Sequence, residues 1–81
     1  MKILIVEDEK ELLDTLIASL TKEHFVIETA SDFQSASEKI SMYDYDCILL
    51  DIMLPGGSGL ELLKELKATE KSDNVIVISA K

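Results

Sequence analysis

Three unbroken apolar runs constrain this chain more than any other feature: Ile3-Leu4-Ile5-Val6, Cys47-Ile48-Leu49-Leu50 and Val75-Ile76-Val77-Ile78. A strand with one wet face alternates apolar and polar residues, whereas a continuous run of strand length needs cover on both faces, as in the interior of a parallel sheet. Val26-Ile27-Glu28-Thr29 is more mixed and reads as an edge strand, its charge discouraging pairing with other chains. Helical spacing fills the gaps between these runs. Leu12, Leu13, Leu16, Ile17 and Leu20 form one apolar stripe, flanked by Glu9, Lys10, Glu11 and Lys22. Ser31 and Gln34 have the reciprocal capping spacing ahead of a second helix carrying Phe33, Ala36 and Ile40. Ser58 and Glu61 repeat that spacing ahead of a third, with Leu60, Leu62, Leu63 and Leu66, and Glu61 and Lys64 are spaced to pair on its surface. Strand and helix alternate throughout, which predicts an α/β fold: a doubly wound parallel sheet of four strands and three helices.

Eighty-one residues hold one domain at most, and a chain of that size buries only about 60–65% of its unfolded surface. With 47% apolar and 30% charged residues it is expected to fold rather than to behave as an acidic tail. Sixteen carboxylates oppose eight lysines, a net charge of -8, so a nucleic-acid surface within these residues is excluded and a cation or a basic partner is favoured. The lone Cys47 reads as a packing residue in a reducing compartment. The first apolar run is cut short by acids, which argues against a signal peptide or membrane span and for a cytoplasmic protein. There is no internal repeat, linker or low-complexity stretch.

Each interior run ends in a polar group. Glu7 and Asp8 follow the first, Asp51 the second and Ser79 the third. In open α/β sheets, sites gather at the carboxyl ends of strands. If the first and third strands are neighbours, three carboxylates meet in one crevice, an arrangement that disfavours folding unless a cation sits among them. An all-oxygen set without His or Cys suits a hard divalent ion, and few carboxylates completed by water and phosphate suit Mg2+. A carboxylate beside that ion is a nucleophile toward phosphorus. Taken singly, each acid reads more simply as a solvated terminus or, for Asp8, a helix cap; their convergence is what reverses the preference. Ser79 alone reads as a local cap, Lys81 as a solvated end and His24 as a loop residue.

Ile3-Leu4-Ile5-Val6-Glu7-Asp8-Glu9, then Asp46-Cys47-Ile48-Leu49-Leu50-Asp51-Ile52-Met53-Leu54-Pro55-Gly56 with Gly59 beyond, and Val75-Ile76-Val77-Ile78-Ser79-Ala80-Lys81 together resemble the receiver domain of bacterial two-component response regulators, a flavodoxin-like fold. The resemblance implies a regulatory phosphoacceptor rather than an enzyme. Asp51 would take a phosphoryl group from a sensor histidine kinase. Glu7, Asp8 and Asp51 would hold Mg2+ together with the backbone carbonyl of Met53, and Ser79 would contact the phosphoryl group. The stretch from Leu54 to Leu63 is similar to receivers that precede DNA-binding domains in transcription regulators.

Against that family pattern, residues 1–81 correspond to the N-terminal part of a receiver, without the fourth helix, the fifth strand with its active-site lysine, or the fifth helix. The expectation that follows is an incomplete receiver fold whose fourth strand is an open edge, self-associating through that edge and an uncovered face. The alternative function is an inert or engineered receiver fragment with weak or no phosphotransfer. A haloacid-dehalogenase-type enzyme would need an acid at Met53, and a flavodoxin-like cofactor site would need a phosphate cradle where Glu7-Asp8-Glu9 stands.

Overall fold

A computed structural model describes residues 1–69 and 74–78 of the chain. Nine elements follow one another: β1 (Lys2–Val6), α1 (Lys10–Thr21), β2 (Val26–Ala30), α2 (Phe33–Met42), β3 (Cys47–Asp51), β4 (Met53–Leu54), β5 (Gly57–Ser58), α3 (Gly59–Ala68) and β6 (Val75–Ile78). The long strands form one sheet in the order β2-β1-β3-β6, every pair parallel. The chain moves outward from β1 to β2, then returns to place β3 on the other flank of β1. That reversal between β1 and β3 is the topological switch point of a doubly wound sheet. The four strands and three helices expected from the apolar pattern are all present.

Side chains alternate along each strand, so Leu4 and Val6 of β1 and Ile48 and Leu50 of β3 face one side of the sheet. There they join Ala36 and Ile40 of α2 and Leu62 and Leu66 of α3 in one buried cluster. Ile3 and Ile5 point to the other face and are also buried. The stripe of α1 is only half-buried, because no residue of that helix is fully enclosed. Helix α1 therefore covers its face less completely than its spacing suggests. Strand β6 is an edge among the described residues, and its Ile76 and Val77 are 56% and 42% exposed.

Helix starts differ in detail from the sequence pattern. The cap of α2 is Asp32, not Ser31: its carboxylate accepts from the Ser35 amide at 2.7 Å. A charged acceptor one residue further on wins over the hydroxyl, and Gln34 is left to donate to Glu38 at 3.2 Å. Ser58 does cap α3, through the Leu60 amide at 3.1 Å. Helix α1 starts after Glu9, so Asp8 is not its cap. The segment from Met53 to Ser58, rich in Pro and Gly, is a small hairpin, β4 pairing antiparallel with β5. Pro55 and Gly56 form its turn, with Gly56 at φ 84°, the left-handed conformation that the third position of a type II turn requires.

The outer edge of β2 is guarded. Lys39 of α2 donates its ammonium to the Thr29 carbonyl at 2.6 Å, occupying an acceptor that an added strand would use. Glu28, expected to deter pairing by its charge alone, is instead tied inward. Its carboxylate accepts from the Tyr45 hydroxyl at 2.6 Å and pairs with Lys2 at 3.2 Å. The Tyr45 bond, assisted by Lys2, holds Glu28 below the usual carboxylate range against a smaller opposing effect of burial. That support is present at neutral pH and is lost as pH falls through the lowered value. Burial, then Glu28, pushes Tyr45 above the ordinary phenol range. Burial also raises the Cys47 thiol, in keeping with a packing residue.

The exposed His24 sits at φ 61°, directly after the hydrogen bonds from Glu23 to Leu20 and from His24 to Thr21 that end α1. A left-handed conformation costs a residue with a Cβ about 1–2 kcal/mol, part of which Gly returns through its looser unfolded state. We expect His24→Gly to stabilise the chain by about 1 kcal/mol, read in thermal denaturation as a rise in Tm of roughly 4–8 °C.

Candidate functional site

Pairing of β1 with β3 runs Ile3 to Cys47, Leu4 to Ile48, Ile5 to Leu49 and Val6 to Leu50. One step further along both strands stand Glu7 and Asp51, and this register is what brings them side by side. Glu7 is anchored by its own amide, which donates to the Ala30 carbonyl at 3.0 Å, and its Oε2 accepts from the Glu9 amide at 3.0 Å. Asp51 accepts from the Met53 amide on Oδ1 at 3.1 Å. Both are 1% exposed, whereas Asp8 beside them is open to solvent. One carboxylate oxygen from each of Glu7, Asp8 and Asp51 lies within 4.8 Å of the other two.

Mg2+ binds oxygen at about 2.0–2.1 Å in an octahedron, which places its ligand oxygens about 2.9 Å apart when adjacent and about 4.2 Å when opposed. The spacing of the three acids fits a shared cation of this kind, and the donor set is all oxygen. Beside them an open cavity of about 400 Å³ is lined by residues including Asp8, Met53, Leu54, Pro55 and Ser58. Met53 is 63% exposed at this mouth. The structure thus brings together Glu7, Asp8 and Asp51 and places Met53 on the segment leaving Asp51. Ser79 and Lys81 lie outside the described residues. His24 stands at the far end of α1, away from the acids, as a loop residue.

Gly59 entered the sequence reading only within the family resemblance, yet it is the closest packed of the chain's glycines. Its amide donates to the Ile52 carbonyl at 2.7 Å, and a Cβ built on it would lie 2.1 Å from the Asp51 carbonyl oxygen. The available signal was its position: the first residue of a helix that must return tightly over the end of the strand before it.

Comparison with known proteins was decided by the family model for the response regulator receiver domain, which matches residues 3–81. The chain belongs to this family. The two-component response regulator PhoP of Pseudomonas aeruginosa is 36% identical over 81 residues, covering 100% of this chain and 36% of the relative. The chain therefore spans about a third of the length of that curated relative. The receiver domain of Francisella response regulator 1452 superposes with a TM-score of 0.90 at 29% identity, over 98% of this chain and 65% of that one. The response regulator TrrA of Thermotoga maritima, solved in complex with Mg2+-BeF, gives 0.82 at 29% identity, over 99% of this chain and 88% of that one. The flavodoxin-like receiver architecture inferred from the residues is the fold these structures share. No described helix is long and apolar enough to cross a membrane.

Two unit charges 4.8 Å apart repel by about 3 kcal/mol at an effective dielectric of 20, less where solvent screens Asp8. Asp51→Asn removes one charge and keeps an acceptor for the Met53 amide. We expect this variant to melt roughly 4–8 °C above the parent chain in EDTA, and to gain less than the parent from added Mg2+. Thermal denaturation with and without the ion checks both halves.

Proposed function

We propose that this receiver is a phosphoacceptor, taking a phosphoryl group onto Asp51 from a sensor histidine kinase. The observation that carries the reading is the convergence of Glu7, Asp8 and Asp51 at the carboxyl ends of β1 and β3. In the transfer, a carboxylate oxygen of Asp51 forms a bond to phosphorus as the nitrogen–phosphorus bond of a phosphohistidine breaks, and the bonding pair leaves with the imidazole. Glu7, Asp8 and Asp51, with the Met53 backbone carbonyl, would hold Mg2+, which when bound neutralises the phosphoryl oxygens. The hydrogen bond from the Met53 amide fixes the Asp51 carboxylate against the strand end. We assign Ser79 the contact to the transferred group, and the chain a regulatory rather than enzymatic role in the cytoplasm. The Mg2+-BeF complex of TrrA supports the choice of ion and of phosphoryl chemistry.

Incubation with a small phosphodonor and Mg2+, followed by intact mass, is expected to show one added phosphoryl group, absent without the ion and absent in Asp51→Asn. Failure of the parent chain both to bind Mg2+ and to gain mass would favour an inert receiver fragment instead.

Residues 1–81 form, on this reading, the N-terminal part of a receiver, consistent with the 65% coverage of the Francisella domain. We also propose that the outer edge of β6 takes up a further strand and can do so from a second copy of the chain. Its four residues carry no charge and two are largely exposed, in contrast with the guarded edge at β2. Light scattering is expected to give a mass above that of one chain at high concentration; a monomer there would overturn self-pairing.

A further inference from the structure

The tightest backbone contact at the site is made by a residue with no side chain. Gly59 begins α3, and its amide is bonded to the Ile52 carbonyl at 2.7 Å. A Cβ added to it would meet the Asp51 carbonyl oxygen at 2.1 Å, the Asp51 carbonyl carbon at 2.9 Å and the Ile52 Cα at 2.8 Å. All three are main-chain atoms, so no rotamer change can make room. Ordinary contact begins near 3.4 Å, so the strand end and the helix start would have to separate by about 1 Å. Gly57, two residues earlier, has a different obstacle: the nearest atoms to its Cβ all belong to the Phe33 side chain, the ring at 2.6 Å.

We propose that Gly59 is a positioning residue for the phosphoacceptor. By letting the start of α3 sit directly on the Asp51–Ile52 backbone, it fixes the peptide from which the Met53 amide reaches the Asp51 carboxylate. The same contact sets where Asp51 stands relative to Glu7 and Asp8. Misplacement by about 1 Å at a reacting group can cost as much as a hundredfold in rate. This inference rests on the phosphoacceptor reading above.

The test compares Gly59→Ala with Gly57→Ala, the same added methyl in the same hairpin and helix start. Each is made in the parent chain and in the His24→Gly background, which is expected to add stability. Folded fraction is followed by circular dichroism, Mg2+ affinity by titration, and phosphorylation by intact mass with a small phosphodonor, all expressed per folded molecule. Both variants should lower Tm. Gly59→Ala alone should weaken Mg2+ binding and slow phosphorylation at least tenfold, while Gly57→Ala stays within about twofold of its parent. Equal losses in the two variants, or a folded Gly59→Ala with parental Mg2+ affinity and rate, would overturn the role. So would failure of Gly59→Ala to fold in both backgrounds, since Gly59 would then serve the fold alone. A parent chain that neither binds Mg2+ nor gains mass removes the phosphoacceptor reading itself, and the positioning role with it, before any variant is compared.

Discussion

Everything at the acidic end of this molecule depends on the pairing of β1 with β3. These strands are separated by some forty residues of sequence and become neighbours only because the chain first goes out to β2 and returns. Their register, Val6 opposite Leu50, sets the next residues of both strands side by side, one a glutamate and the other an aspartate. A slip of one residue would turn Asp51 to the opposite face of the sheet. The buried cluster of Leu4, Val6, Ile48 and Leu50 against α2 and α3 prevents that slip. Hydrophobic burial therefore holds together charges that repel one another, and the geometry of the three acids is a product of the core.

The second constraint acts at right angles to the sheet. Once β3 ends, the chain has few residues in which to reverse and begin α3. The Pro55-Gly56 turn, the β4–β5 hairpin and the Ser58 cap accomplish this. The Phe33 amide bonds the Pro55 carbonyl at 3.0 Å, fastening the hairpin to the start of α2. The turn is thus fastened to α2 through the Phe33 amide, while α3 sits on the Asp51–Ile52 backbone through Gly59.

Much of this was legible in the residues. Unbroken apolar runs marked the sheet because strands covered on both faces have no alternation to hide in, and acids placed after two of them marked the crevice. The joint occurrence of Glu7-Asp8, Asp51 with Pro55-Gly56, and Ser79-Ala80-Lys81 was specific enough to indicate the family. Other features resisted. The choice of Asp32 over Ser31 as the cap of α2 depends on which side chain reaches the Ser35 amide, which spacing alone does not decide. The inward tie of Glu28 required Tyr45 from a distant strand entrance and Lys2 from β1. The half-exposure of α1 and β6 reflects what packs against them, which periodicity does not encode.

The Lys39 ammonium on the Thr29 carbonyl gives the sheet a polarity of growth. Among the described residues the β2 margin is guarded and the β6 margin is not, so a partner strand would meet less resistance at β6. Two copies joined there would each present the stoppered margin outward, so the assembly would close at a pair. Two open margins would let strands add without limit; a guarded one on β2 would stop such growth at its side.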